Sequence, residues 1–141
     1  MSRPAFRVLP AITPENEHFW QGGAEGELRF QGCTACRSLI HPPSPVCPVC
    51  LGREFETRAV SGRGRVFSFT INHQPWIPGF DPPYVIAIVV IEEQPDVRLT
   101  TNIVGCAPED VFIDMPVQVT FEEWDDTFIP LFEPASDGRE A

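Results

Sequence analysis

Along most of this chain the apolar positions fall in short runs, alternating or continuous, each bounded by proline, glycine or charged residues. Residues 62–73, GRGRVFSFTINH, set Val66, Ser68 and Thr70 against Phe67, Phe69 and Ile71 in a period of two, which predicts a strand. Residues 84–91, YVIAIVVI, are continuously apolar and predict a strand buried on both faces. After a turn at 93–96, VRLTTNIVG at 97–105 predicts a third strand, MPVQVTFEEW at 115–124 a fourth, and FIPLF at 128–132 a short fifth. Between the third and fourth, APEDVFID predicts a helix of one or two turns, with Pro108 at its start and Glu109 and Asp110 in its first turn. Three strands, a short helix and two more strands is the element order of an OB-fold, a small five-stranded barrel.

The front of the chain has a different pattern. TPENEHFWQGG, residues 13–23, predicts a short helix capped by Thr13, with Pro14 at its first position, and ended by Gly22 and Gly23. Phe19 and Trp20 are adjacent, so they do not share one narrow stripe. One is expected to pack inward and the other to meet a partner or the next element. GELRFQG and REFETRAV both alternate like strands, and four cysteines lie between them. A boundary is expected near Val60 and Ser61. The division is then a helix and lead-in strand over 1–31, a ribbon over 32–60, a barrel over 61–133 and a disordered tail over 134–141.

Composition agrees with short strands: sixteen prolines, ten glycines and eleven phenylalanines occur in 141 residues, 43% of them hydrophobic. The longest apolar run, at 84–91, is far short of the roughly twenty residues a membrane-spanning helix needs. The start, MSRPAFRVLP, is too polar and proline-broken for a signal peptide. A cytoplasmic protein with no membrane partner is expected. In that compartment closely spaced cysteines more often hold metal or do redox chemistry than form disulfides.

Cys33, Cys36, Cys47 and Cys50 form two C-x2-C pairs ten residues apart. Two such turns aim four sulfurs at one point, the tetrahedral set that zinc prefers, with iron as competitor for the same cage. The prolines at 42, 43, 45 and 48 stiffen the intervening loop and lower the entropy lost on closing it. A redox pair would sit at a helix start in a βαβ pattern; here proline and turns surround both pairs. Four thiolates leave no open position, so the metal is expected to be structural. His41 is an alternative ligand that nothing requires. Cys106 stands alone and reads as a small apolar residue.

Net charge is −10, unevenly placed. Residues 1–70 carry eight Arg against six Glu, a net of +2; residues 71–141 carry two Arg against fourteen Asp and Glu, a net of −12. The acidic barrel half repels nucleic acid, and an anionic ligand is expected on the first half. Arg63 and Arg65 flank the turn SGRGRV and Arg37 lies in the first cysteine knuckle, each either a phosphate ligand or an ordinary solvated arginine. Trp76, in the proline-rich loop at 74–83, is either an exposed anchor or a plug for the barrel end. Tyr84, Phe67 and Phe69 are expected in the core. The three histidines, at 18, 41 and 73, are scattered, and no G-x-S-x-G or H-E-x-x-H motif occurs, so an independent enzyme is not expected.

The ordered set of FW at 19–20, CTAC and CPVC at 33–36 and 47–50, HPP at 41–43, SGRGRVFSFTINH at 61–73, PGFDPPYVIAIV at 78–89, VGCAPEDVFIDMPVQVTFE at 104–122 and LFEP near the end resembles a known family. It is the zinc-ribbon plus OB-fold group of acyl-CoA-associated proteins, long called a domain of unknown function. The match covers roughly residues 18–134. The resemblance implies a mainly β chain: an N-terminal helix and rubredoxin-like zinc ribbon, then a five-stranded OB-fold barrel. It also implies a non-catalytic or co-catalytic subunit, bound to a thiolase-fold or hot-dog-fold acyl-CoA enzyme in a hetero-oligomer. Zn(2+) would be structural and acyl-CoA the ligand. On that reading Arg37, Arg63 and Arg65 hold CoA, while Phe19, Trp20 and Trp76 meet the partner. The rivals are a single-stranded nucleic-acid module and a protein scaffold that binds no CoA. One departure is Asp114, where the family commonly has glycine; a left-handed backbone there suits Gly better than Asp.

Overall fold

A computed structural model describes residues 7–76 and 80–135. The elements are a short helix α1 (Glu17–Gln21) and strands β1 (Leu28–Cys33), β2 (Leu39–Ile40), β3 (Phe55–Val60), β4 (Arg63–Asn72), β5 (Tyr84–Ile91), β6 (Arg98–Ile103), β7 (Pro116–Trp124) and β8 (Thr127–Pro134). A 3-10 turn, Pro108–Asp110, stands where the short helix was expected, with Pro108 at its start. The strands make two sheets: a three-stranded ribbon in the order β2-β1-β3 and a closed barrel in the order β4-β5-β6-β8-β7. All pairings are antiparallel except the short parallel contact of β6 with β8. This is the mainly β, ribbon-then-barrel architecture expected, with strand ends displaced by a residue or two. Among the described residues no helix is long and apolar enough to cross a membrane.

The core is one apolar cluster that runs through both sheets. Leu28 and Phe30 on β1 join Val66, Val89, Val117 and Phe132 of the barrel, and Phe19 on α1 is buried with them. Burial of this area is the main favourable term in holding ribbon and barrel together. A second, small cluster of Cys33, Ile40 and Cys47 lies beneath the knuckles.

Several expectations change. β5 is not buried on both faces: Val85, Ala87, Val89 and Ile91 face inward, while Ile86 is 38% exposed and Tyr84, Ile88 and Val90 are half-buried. A single-layered barrel has only one inner face, so alternate residues must point out. In β4 a bulge between Val66 and Ser68 breaks the alternation. The extra residue, Phe67, turns outward at 46% exposure, and beyond it Phe69 and Ile71 pack on the core. Phe67 is therefore not a core residue, and Tyr84 is only half-buried.

The front helix starts later than the pattern suggested. Thr13 does not cap it through its side chain; its carbonyl accepts from Asn16 and Glu17 N–H, and Asn16 Oδ1 accepts from Thr13 N–H at 2.8 Å. The helix does end where the glycines begin, with Gly22 as its C-cap, and the chain runs on as a 3-10 turn, Gly22–Glu25, that closes at Gly26 (φ 72°). A Cβ on Gly23 would lie 2.5 Å from Phe128 Cβ, so this glycine is what lets the helix end sit on the barrel.

The SGRGRV turn uses both glycines. Gly62 has φ 83°, and a Cβ on Gly64 would lie 2.4 Å from the Val90 carbonyl oxygen. Gly64 thus lets β4 approach β5 as the barrel begins. Asp114 does adopt the left-handed backbone, at φ 69°, and its N–H donates to Val66 O at 2.8 Å. The tail expected over 134–141 begins too early: Pro134 ends β8, and Ala135 N–H donates to Pro116 O at 3.1 Å. The rest of that tail, 136–141, lies outside the described residues, as do 1–6 and residues 77–79 of the proline-rich loop.

Candidate metal centre and binding groove

Two matched knuckles build the thiol cluster. In the first, Cys33 N–H donates to Ser38 O and Arg37 N–H to Cys33 O; in the second, Cys47 N–H donates to Gly52 O and Leu51 N–H to Cys47 O. The residue four past the leading cysteine is left-handed in both, Arg37 at φ 71° and Leu51 at φ 67°. Backbone N–H groups also aim at sulfur: Cys36 N–H at Cys33 Sγ (3.5 Å) and Val49 N–H at Cys47 Sγ (3.4 Å). Such donors stabilise thiolate over thiol.

The four sulfurs lie within 4.8 Å of one another, with Cys33–Cys50 and Cys36–Cys47 at 3.6 Å. A tetrahedral zinc with sulfurs at about 2.3 Å requires them to stand about 3.8 Å apart. The donor set therefore fits a structural divalent metal with no open position. The Ser38 hydroxyl and then its backbone pull the Cys36 thiol down to about 6. Cys33 is also lowered, first by the Cys36 N–H. On Cys50 the Gly52 N–H pulls downward, but the Cys33 thiol and burial outweigh it and raise it to about 11. A bound cation would supply the charge that ionises the last thiol.

Arg58 on β3 clamps the first knuckle. Its Nη1 donates to Arg37 O at 2.8 Å and its Nη2 to Cys33 O at 3.1 Å. The guanidinium lies over Gly32, where a Cβ would come within 2.4 Å of it. The one trace of this in the sequence is the glycine just before Cys33.

The expected arginines separate. Arg63 and Arg65, on the same face of β4, border a groove of about 350 Å³ with Val90, Glu92, Pro95 and Pro116. Arg63 pairs with Glu92 at 3.7 Å and donates to Gln118 Oε1 at 3.4 Å; Arg65 donates to the Asp114 carbonyl at 3.3 Å. Arg37 is not part of this lining and pairs with Glu56 at 3.3 Å on the knuckle.

The expected partner residues separate too. Phe19 is 5% exposed and packs against Trp20, Phe30 and His41 with ring centroids 4.8, 6.0 and 4.6 Å away, so its ring serves the interior. Trp20 is half-buried. Trp76 is 72% exposed, its indole N–H donating to Asn72 Oδ1 at 2.8 Å, which decides for exposure over a barrel plug. His41 is not in the thiol cage. Its Nδ1 and the Nε2 of His18 are buried without a hydrogen-bond partner, and burial, then His18, push His41 down to about 4. Cys106 is half-buried against the core, its thiol raised by burial and then by Asp110.

Comparison with known proteins gives two family matches. Residues 20–56 match the ChsH2 rubredoxin-like zinc ribbon domain, and residues 57–122 match the ChsH2 C-terminal OB-fold domain. A probable enoyl-CoA hydratase alpha subunit of Thermomonospora curvata is 39% identical over 132 residues, and a 3-oxo-4,17-pregnadiene-20-carboxyl-CoA hydratase alpha subunit of Mycobacterium tuberculosis is 37% identical over 131. Each alignment covers 93% of this chain but 41% of the relative, so the chain spans about two fifths of their length. A solved structure titled Ltp2-ChsH2(DUF35) aldolase superposes with a TM-score of 0.80 at 38% identity, covering 89% of this chain and 98% of that one.

Proposed function

Because this chain belongs to the DUF35 family of ChsH2-type zinc-ribbon and OB-fold proteins, we propose that it is an accessory subunit of an acyl-CoA enzyme complex. The observation that carries the proposal is the groove at the start of the barrel. It offers two arginines on an apolar floor and no nucleophile paired with a base. Such a site binds an anion and leaves bond-making to another protein. A metal held by the four thiols has no open coordination position, and neither His18 nor His41, each half-buried, lines this groove. The relatives' names, hydratase alpha subunits and an aldolase, support a partner that works on acyl-CoA thioesters.

In this reading Arg63 and Arg65 hold a CoA phosphate through charge-assisted hydrogen bonds. Holding that end of the long CoA arm fixes where the thioester lies in the partner's active site. Arg37 stays with the knuckle. Zinc, or iron in the same cage, keeps the ribbon folded, and Trp20 and Trp76 offer apolar area to the partner. The reaction is to be assayed in the assembled complex. Arg63→Ala and Arg65→Ala should raise KM for acyl-CoA roughly tenfold or more, the scale of losing a hydrogen bond to a charged group, with kcat little changed. An unchanged KM removes both residues from the site.

A further inference from the structure

We infer that the outer wall of β4, β5 and β6 is the surface on which the partner enzyme docks, and that the partner presents there an apolar centre edged by carboxylates. The inference rests on the accessory-subunit reading and says where the contact is made.

The sequence of β5 is apolar on both faces, yet only one face is covered. Tyr84, Ile86, Ile88 and Val90 form a stripe along the outside of the barrel. Strand register sets this stripe between polar neighbours: Ile86 lies between Thr70 and Asn102, and Ile88 between Ser68 and Thr100. At one end the bulge pushes Phe67 outward, and Arg98 reaches across β5 to lie 4.1 Å from its ring centroid. At the other end Trp76 is tethered to Asn72, the register partner of Tyr84. The stripe is on the order of 20 Å long and 10 Å wide, the core of an interface whose rim the polar rows complete.

Charge selects the occupant. β4, β5 and β6 contain three arginines, Arg63, Arg65 and Arg98, and no Asp or Glu, within a barrel whose other charged residues are Asp and Glu. Arg65, Val90 and Arg98 lie in one row across the three strands. A second copy of the chain would set arginines against arginines, so self-association on this face is disfavoured. A single-stranded nucleic acid needs a row of stacking aromatics, whereas the middle of this stripe is Ile86, Ile88 and Val90, and the Phe67 ring is already covered by Arg98. A protein with an apolar centre and carboxylates at the Arg98 edge satisfies both the stripe and that cation, and leaves Arg63 and Arg65 to the anion in the groove. The stripe also runs into the groove, because Val90 belongs to both. A partner seated on the wall would therefore roof the proposed CoA site.

The test uses the full chain co-expressed in turn with the thiolase-fold and hydratase enzymes of its source genome, with the dissociation constant measured by titration. Ile88→Asp and Arg98→Glu should each weaken the complex, Ile88→Asp by at least about thirtyfold, the scale of a hot-spot residue. Ala59→Asp, on the exposed face of β3, should leave it unchanged. Melting curves establish that each variant is folded; if Ile88→Asp is not, Arg98→Glu decides. A wild-type complex indifferent to Arg98→Glu and to a folded Ile88→Asp overturns this surface and leaves the accessory reading intact. No wild-type complex at all overturns the accessory reading itself. Self-association abolished by Ile88→Asp, or salt-sensitive binding of a poly-dT oligonucleotide abolished by it, also overturns the assignment.

Discussion

The Gln94 carboxamide holds both backbone polar groups of Leu39: its Oε1 accepts the Leu39 N–H at 2.8 Å and its Nε2 donates to the Leu39 C=O at 2.9 Å. Leu39 lies on β2, the short edge strand of the ribbon, and Gln94 in the turn between β5 and β6 of the barrel. The side chain therefore does for β2 what another strand would do and joins the two sheets across 55 residues of sequence. In the same turn Glu93 accepts the Ser61 N–H at 2.7 Å, a second tie near the junction of ribbon and barrel.

Replacing Gln94 by Ala leaves the Leu39 pair without its partners. Net hydrogen bonds contribute about 0.5–1.5 kcal/mol each, so a loss of about 1–3 kcal/mol is expected. Chemical denaturation would read the loss, and hydrogen exchange should quicken at Leu39 and Ile40 more than in β5. Equal exchange in wild type and variant would show that the clasp does not hold the ribbon.

Gly64→Ala should be more damaging than its size suggests. The added Cβ would meet the Val90 carbonyl, which is backbone within the β4–β5 ladder and has little room to move. A cost of about 1–3 kcal/mol, as for overpacking elsewhere, is expected from urea unfolding. The groove should distort as well, since Gly64 and Val90 both line it. A stable variant with normal strand register would mean that β4 can retreat from β5.

Metal analysis of freshly purified protein should find one zinc or iron per chain, and Cys33→Ser should abolish it. Structural tetrathiolate sites of this kind have apparent binding energies on the order of 10–16 kcal/mol. Loss of the ion should therefore melt the knuckles. Because Leu28 and Phe30 share the barrel's core, the melting temperature of the whole chain should fall too. Protein that carries no metal yet keeps the knuckles protected from exchange would contradict the cage.

Acid should weaken the fold through the histidine pair. His41, ordinarily near 6.5, is held at about 4 by burial and then by His18; His18 is lowered by burial and then by Arg29, with Glu17 opposing. Above about pH 6.5 neither folded nor unfolded chain protonates His41, so it makes no pH-dependent contribution there. As pH falls from about 6.5 to about 4 the unfolded chain binds a proton that the folded chain refuses. Stability should drop by roughly 3 kcal/mol from His41 over that window and lose nothing further from it below. His41→Phe should flatten this part of the profile, measured as unfolding free energy against pH. An identical slope in both proteins would assign the acid sensitivity elsewhere.

Much of this molecule is written in near neighbours along the chain. The C-x2-C spacing specifies each knuckle because its hydrogen bonds close within a few residues, from Cys33 to Arg37 and from Cys47 to Leu51. The positions of β4 to β8 follow from runs of apolar residues between turn formers. The left-handed backbone at Asp114 is suggested only by the glycine that the family resemblance places there. Periodicity gives which residues of a strand share a face, but not which face is inside. One bulged residue in β4 reverses that assignment and sends Phe67 to the surface, and barrel closure leaves the outer side of β5 open. The Gln94 clasp, the Arg58 clamp and the burial of Phe19 join residues far apart in sequence. Only tertiary structure decides these: the clasp and the burial of Phe19 depend on how helix, ribbon and barrel are placed against one another, the clamp on the pairing of β3 with β1, and no local hydrogen bond or apolar period encodes either.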